Sequence, residues 1–184
     1  RCTLTPYRLH NGTLTALPTV TLPYAVMNHD FVLTKNHLVF CIGPILSSPL
    51  AFILGFKSFD AALHWEARKP TLVLLVPRDG KGKPRIIETD AFFHFHFVNG
   101  YEEDGALVLD LCRYPDYLTI GQVLREYWNS DWPSYGMARL TRLQIELSTG
   151  KVDRRVFDTG NANEFPSINP AYVGKRHRYA YMAC

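Results

Sequence analysis

Two histidines spaced two residues apart, His94 and His96, stand among five aromatic residues in the stretch Ala91 to Gly105, AFFHFHFVNGYEEDG. On an extended strand residues i and i+2 share a face. The spacing therefore predicts both imidazoles on one side, with Phe93, Phe95 and Phe97 on the other. Neutral imidazole is a common metal ligand and a common pH switch. The alternative is a core strand whose histidines hydrogen-bond to backbone carbonyls, because a same-face pair alone is a weak metal signal. His29, followed directly by Asp30, reads by itself as a hydrogen-bonded strand histidine. The four cysteines, Cys2, Cys41, Cys112 and Cys184, lie far apart with no CxxC pair. That spacing argues against a zinc ribbon or a disulfide framework and for reduced, buried thiols. The Gly80-Lys81-Gly82-Lys83 run is no phosphate loop, since it lacks the Gly-Lys-Ser/Thr ending and sits on a hairpin.

The elements that must position these residues are strands. The chain has 184 residues, 47% hydrophobic and 13% aromatic, enough for one domain with a sizeable core and unlike a disordered chain. Twenty basic and 17 acidic residues, scattered rather than striped, give a net charge of +3, too mild to imply nucleic acid. No basic and apolar leader opens the chain, and no apolar run reaches the roughly 18 residues of a membrane span. Asn11-Gly12-Thr13 matches a glycosylation sequon, a pattern short enough to arise by chance. The chain opens directly in RCTLTPYRL and closes on the strand-like RYAYMAC, which reads as a segment of something longer.

Short strands are predicted at Thr3 to Leu9 and Thr13 to Leu22, around an Asn11-Gly12 turn. A hairpin is predicted around Lys35-Asn36, and a fully buried strand at Thr71 to Val76. Asp79 to Pro84, Glu102 to Gly105 and Ser148 to Lys151 are further turns between strands. Ile45 to Leu63, with its apolar stretch to Phe56 and a Gly55 to Phe59 loop, reads as a buried connection, with a greasy lip at a ligand mouth or membrane surface as the alternative. One helix is predicted near 119–128, where Ile120, Val123, Leu124, Tyr127 and Trp128 share a face behind a capping-box spacing. Many short antiparallel strands without a sequence repeat leave a sandwich, a barrel or propeller blades open.

Three segments resemble one family. His29-Asp30-Phe31-x-x-Thr34-x-Asn36, Phe95-His96-Phe97-Val98-Asn99-Gly100-Tyr101-Glu102 and Glu164-Phe165-Pro166-x-Ile168-Asn169 are similar to motifs of the carotenoid cleavage oxygenases. Supporting pieces follow in the same order: Leu63-x-Trp65, Val108-Leu-Asp110-Leu and Gly174-Lys-x-x-Arg178-Tyr179-x-Tyr181. The resemblance implies an all-β fold, part of a seven-bladed β-propeller incomplete at both ends, occupying residues 1–184. It implies an Fe(2+) ion on the propeller axis held by four histidines, of which His29 and His96 are two. Glu164 falls on a glutamate that accepts the ring N–H of a ligand histidine. The other two ligands lie outside this segment; His94 is a neighbour, and His10, His37, His64 and His177 are structural or surface residues. Gly100, where the family often has alanine, is a mild departure.

The implied activity is O2-dependent cleavage of a conjugated double bond in an apolar carotenoid or apocarotenoid, giving carbonyl products. A polyene needs no protein acid or base, and aromatic walls suit it; Phe31, Phe97 and Tyr114 are candidates for those walls, with core packing as the alternative. The Ile45 to Phe56 run corresponds to an apolar patch for peripheral membrane contact. Stilbene cleavage and retinoid isomerisation are alternatives within the family. An inactive fragment, or a propeller that binds apolar ligands without chemistry, is the alternative outside it. Cytoplasmic, plastid and membrane-associated locations all stay open.

Overall fold

Prolines decide where the first strands break. Thr3 to Leu9 and Thr13 to Leu22 each contain one, Pro6 and Pro18, and a proline cannot donate to a strand ladder. In the computed structural model, which describes residues 2–117 and 138–183, each run is accordingly two strands. They are β1 (Cys2–Leu4), β2 (Tyr7–His10), β3 (Thr13–Ala16) and β4 (Val20–Leu22). β2 and β3 form the expected hairpin, with Asn11 and Gly12 at φ 48° and 75°, the left-handed pair that a tight two-residue turn requires. β1 returns to pair with β4.

The chain continues through β5 (Val32–Leu33), β6 (His37–Ile42), β7 (Ile45–Ser47), a short helix α1 (Pro49–Ile53) and β8 (Leu63–Trp65). Then come β9 (Thr71–Pro77), β10 (Arg85–Thr89), β11 (Phe93–Glu103) and β12 (Ala106–Tyr114). β13 (Arg139–Glu146), β14 (Val152–Val156), β15 (Glu164–Ser167) and β16 (Tyr181–Ala183) complete the described chain. The helix predicted near 119–128 lies outside the described residues.

Two four-stranded antiparallel sheets dominate, in the orders β10-β9-β6-β5 and β11-β12-β13-β14. Their near-continuous apolar sequences follow from burial on both faces. Val39, Cys41, Val73 and Leu75 of the first sheet meet Leu107, Leu109, Leu111, Leu143 and Ile145 of the second in one core. The alternate residues Leu38, Phe40, Ile42, Leu72, Leu74 and Val76 turn the other way, onto Leu17, Val20 and Leu22. On the far face of the second sheet, Phe93, Val98, Cys112 and Tyr114 gather with Ile45. Cys41 and Cys112 are free and buried, as expected, and Cys2 is half-buried.

One connection departs from the sequence reading. Ile45 is buried, but the run beyond it is not: α1 buries none of its residues, and Ile53 and Phe56 are 74% and 78% exposed. Apolar content alone suggested a core segment, but Pro49 starts a helix too short to fold back and cover its own surface.

Candidate metal centre

The site is built where β11 breaks its alternation. Register against β12 slips between His94 and Phe97, and again between Phe97 and Asn99, so extra residues bulge out of the ladder. A bulge leaves backbone groups unpaired and re-aims side chains. Here Phe97 turns to the side of His94, with ring centroids 4.6 Å apart, and packs in the core between the two sheets. Phe93 and Phe95 remain on the opposite face. The expectation that Phe97 shares a face with them, and that simple alternation places both histidines alike, is corrected by this slip.

His96 stands beside β15. Its Nδ1 lies 2.7 Å from Glu164 Oε2, and the Phe165 N–H donates to the same oxygen at 3.1 Å. The other carboxylate oxygen, Oε1, is buried without a hydrogen-bond partner. A carboxylate accepting from Nδ1 selects the tautomer that carries its proton there and leaves Nε2 with a free lone pair. The imidazole of His29 is 5.2 Å from that of His96, nearly perpendicular at 85°. That is close enough for two imidazoles to reach one ion.

Asp30 anchors His29. Its Oδ1 accepts from the Phe31 N–H at 2.8 Å, and its Oδ2 accepts from the Phe97 N–H at 2.8 Å. The second bond satisfies a backbone donor at the bulge and clamps the His29 segment to β11. Thr34, Asn36 and His37, at the β5–β6 turn, all converge on the Glu102 carboxylate at the far end of β11. Asn99 fastens the chain beyond β15: its amide donates to the carbonyls of Tyr172 and Lys175 at 3.1 and 2.9 Å and accepts from the Gly174 N–H at 3.1 Å. The motif residues around the histidines thus work as clasps that hold separate segments to one strand.

His94 is 4% exposed and its Nε2 has no hydrogen-bond partner. Burial first, and then the neighbouring His29 and His96, push its pKa down to about 3, so the ring is neutral. Among the described residues no group of three or more His, Cys, Asp or Glu side chains is placed to hold a metal ion. The segment therefore brings together two imidazoles and the carboxylate behind one of them.

The three candidate wall residues fall in different places. Phe97 and Tyr114 are buried, and Phe31 is exposed, stacked on Phe40 at 5.2 Å. Burial, and after it the charge of Glu164, raises the Tyr114 phenol above its ordinary range. Two rings that sequence reasoning passed over lie nearer the imidazoles. Phe95 is 5.2 Å from His29, and Phe165 is 5.4 Å from His96. Phe165 is exposed and has φ 50°, a conformation that non-glycine residues rarely adopt. Its position directly after Glu164 was the available signal.

Residues 2–184 match the family model described as Retinal pigment epithelial membrane protein. The apocarotenoid-15,15'-oxygenase of Synechocystis is 29% identical over 174 residues, covering 93% of this chain and 34% of that protein. The carotenoid isomerooxygenase of Galleria mellonella is 31% identical over 168 residues, covering 83% and 32%. The isoeugenol monooxygenase of Pseudomonas putida is 30% identical over 162 residues, covering 87% and 33%. The crystal structure of cobalt-substituted Synechocystis apocarotenoid oxygenase superposes with a TM-score of 0.83 at 27% identity, covering 98% of this chain and 37% of that one. The chain thus spans about a third of the length of the curated relatives it matches. With a family match over nearly its whole length, this chain belongs to the carotenoid cleavage oxygenases, the family of the retinal pigment epithelial membrane protein.

Proposed function

We propose that the full-length protein closes a seven-bladed propeller around a ferrous ion and uses O2 to cleave a conjugated double bond of a carotenoid or apocarotenoid. The observation that carries this reading is the Glu164–His96 pair, 2.7 Å long, beside the His29 ring. The donor chemistry fits: imidazole nitrogens suit iron, and neutral ligands leave a ferrous ion its full charge. The relative crystallised with cobalt in place of its own metal supports a metal in the family site. His29 and His96 are the ligands this segment contributes, joined by two from the rest of the protein. When bound, the ion supplies the oxygen chemistry.

The chain's own residues do the positioning. Glu164 holds the His96 proton at Nδ1 and points Nε2 away from the carboxylate. Asp30 fixes His29 against β11. Phe95 and Phe165 give the imidazoles an apolar surround that suits a rigid polyene, and Tyr114 backs Phe95 at 6.0 Å, while Phe97 packs in the core and Phe31 on Phe40. No side chain is asked to give or take a proton at the double bond. The similarity to isoeugenol monooxygenase favours an aryl alkene as a second substrate class. Turnover of an apocarotenal against isoeugenol by the purified full-length protein separates the two.

Iron analysis tests the reading. The full-length protein, purified without oxygen, is expected to carry about one iron per chain, and His96→Ala is expected to lose it. Equal iron in both proteins would sink the assignment and favour a propeller that binds apolar ligands without chemistry.

A further inference from the structure

A second site lies at the β5–β6 turn and uses none of the residues assigned to the metal. Three segments distant in sequence converge there: Arg8 on β2, Lys35 and His37 at the β5–β6 turn, and Arg78, Asp79 and Lys81 at the β9–β10 turn. They line a cleft of about 570 Å³. Four of these side chains are permanent cations at neutral pH, and one is a carboxylate.

The two guanidinium groups are held in place without being neutralised. An Arg8 Nη2 hydrogen donates to the Arg78 carbonyl, and Arg78 Nη1 donates to the Thr34 carbonyl at 2.9 Å. The Arg78 N–H donates to the Asn36 carbonyl at 2.8 Å, which ties the two turns together. Carbonyl oxygens orient a guanidinium but leave its charge intact. The one carboxylate of the lining, Asp79, accepts from the Lys81 backbone N–H at 2.8 Å and so closes its own turn. Glu102, outside the lining, accepts hydrogen bonds from Thr34, Asn36 and His37 and leaves the cleft with four cations against one lining carboxylate. Among the described residues, none of Arg8, Lys35, Arg78 and Lys81 makes an ion pair. This contrasts with Arg113, Arg142, Arg154 and Arg176, each of which has a carboxylate partner.

We propose that this cleft is an anion site for a phosphate-class ligand carrying more than one negative charge. Oriented guanidinium forks match phosphate oxygens two at a time, and the two lysines add charge without demanding one geometry. Four cations drawn from three segments exceed what one orthophosphate needs, which favours a diphosphate or a phosphate ester. A soluble metabolite and a phospholipid headgroup present the same chemistry.

The test is calorimetric titration of the full-length protein with orthophosphate and with pyrophosphate, at low and at physiological ionic strength. Lys35→Glu combined with Lys81→Glu is the test variant, because neither lysine packs a core. Lys151→Glu, a reversal at an exposed lysine on β14's turn, is the control. One pyrophosphate per wild-type chain is expected, weakened at least roughly tenfold in the double variant, unchanged in the control and weaker in salt. Vesicles of phosphatidylcholine with and without phosphatidic acid form the second arm. Capture that depends on phosphatidic acid and on the two lysines, without soluble binding, would assign the site to a headgroup. No binding in either arm, or equal binding by the double variant, overturns the proposal.

Discussion

Glu164 illustrates how one carboxylate can decide what an imidazole does. Bonded to Nδ1 at 2.7 Å, it leaves Nε2 as the only nitrogen of His96 that can bind an ion. Glutamine at this position keeps the size and loses the charge. Glu164→Gln in the full-length protein is therefore expected to weaken metal binding ~10–100-fold while leaving the fold intact. Metal titration paired with circular dichroism checks this; an unchanged affinity would mean that His96 does not depend on its carboxylate. Gly100 is a second single-residue case. A Cβ there would sit 2.9 Å from Val32 Cγ1 and 3.0 Å from Leu109 Cδ2. The valine is branched at its own Cβ and has little room to turn. Gly100→Ala is expected to cost ~1–3 kcal/mol, read as a lower melting temperature.

At the scale of elements, β11 is the strand to which the others are fastened. Its bulges present Phe97 N–H to Asp30, and its far end presents Glu102 to the β5–β6 turn. Burial alone would raise the Glu102 carboxyl. Hydrogen bonds from Thr34, His37 and Asn36 outweigh that and hold it below its ordinary value of 4.5. A carboxyl with a depressed pKa in the folded state adds stability that is complete above the unfolded value. That stability is lost as pH falls through the folded value. Glu102→Gln is expected to lower stability by ~1–3 kcal/mol at pH 7. Thermal melts from pH 7 to pH 3 should show the gap between variant and wild type closing below about 4.5. A constant gap would mean that the charge of Glu102 contributes nothing.

The whole molecule shows an uneven surface. Two four-stranded sheets bury their apolar faces against each other and against flanking strands, while α1 and the loop after it stand out with Ile53 and Phe56 exposed. No helix among the described residues is long and apolar enough to cross a membrane. An exposed apolar helix suits the interface of a bilayer instead. The full-length protein is expected to sediment with phosphatidylcholine vesicles, and Ile53→Ser with Phe56→Ser to reduce that at least roughly tenfold. A wild type that stays in the supernatant would assign these residues to another contact.

What the amino-acid sequence determined by itself was local. The alternating and continuous apolar runs located most strands, Asn11-Gly12 and Asp104-Gly105 located their turns, and the motifs singled out His29, His96 and Glu164. These signals are legible because strand period and turn chemistry depend on neighbours along the chain. Only the tertiary structure decided the rest. A bulge in β11 moved Phe97 to the face of His94. Thr34 and Asn36 met a carboxylate 66 or more residues away, and Arg8 and Arg78 came together across 70 residues with their charges unpaired. Each of these outcomes rests on which backbone groups remain free once distant strands have paired, and no single segment carries that information.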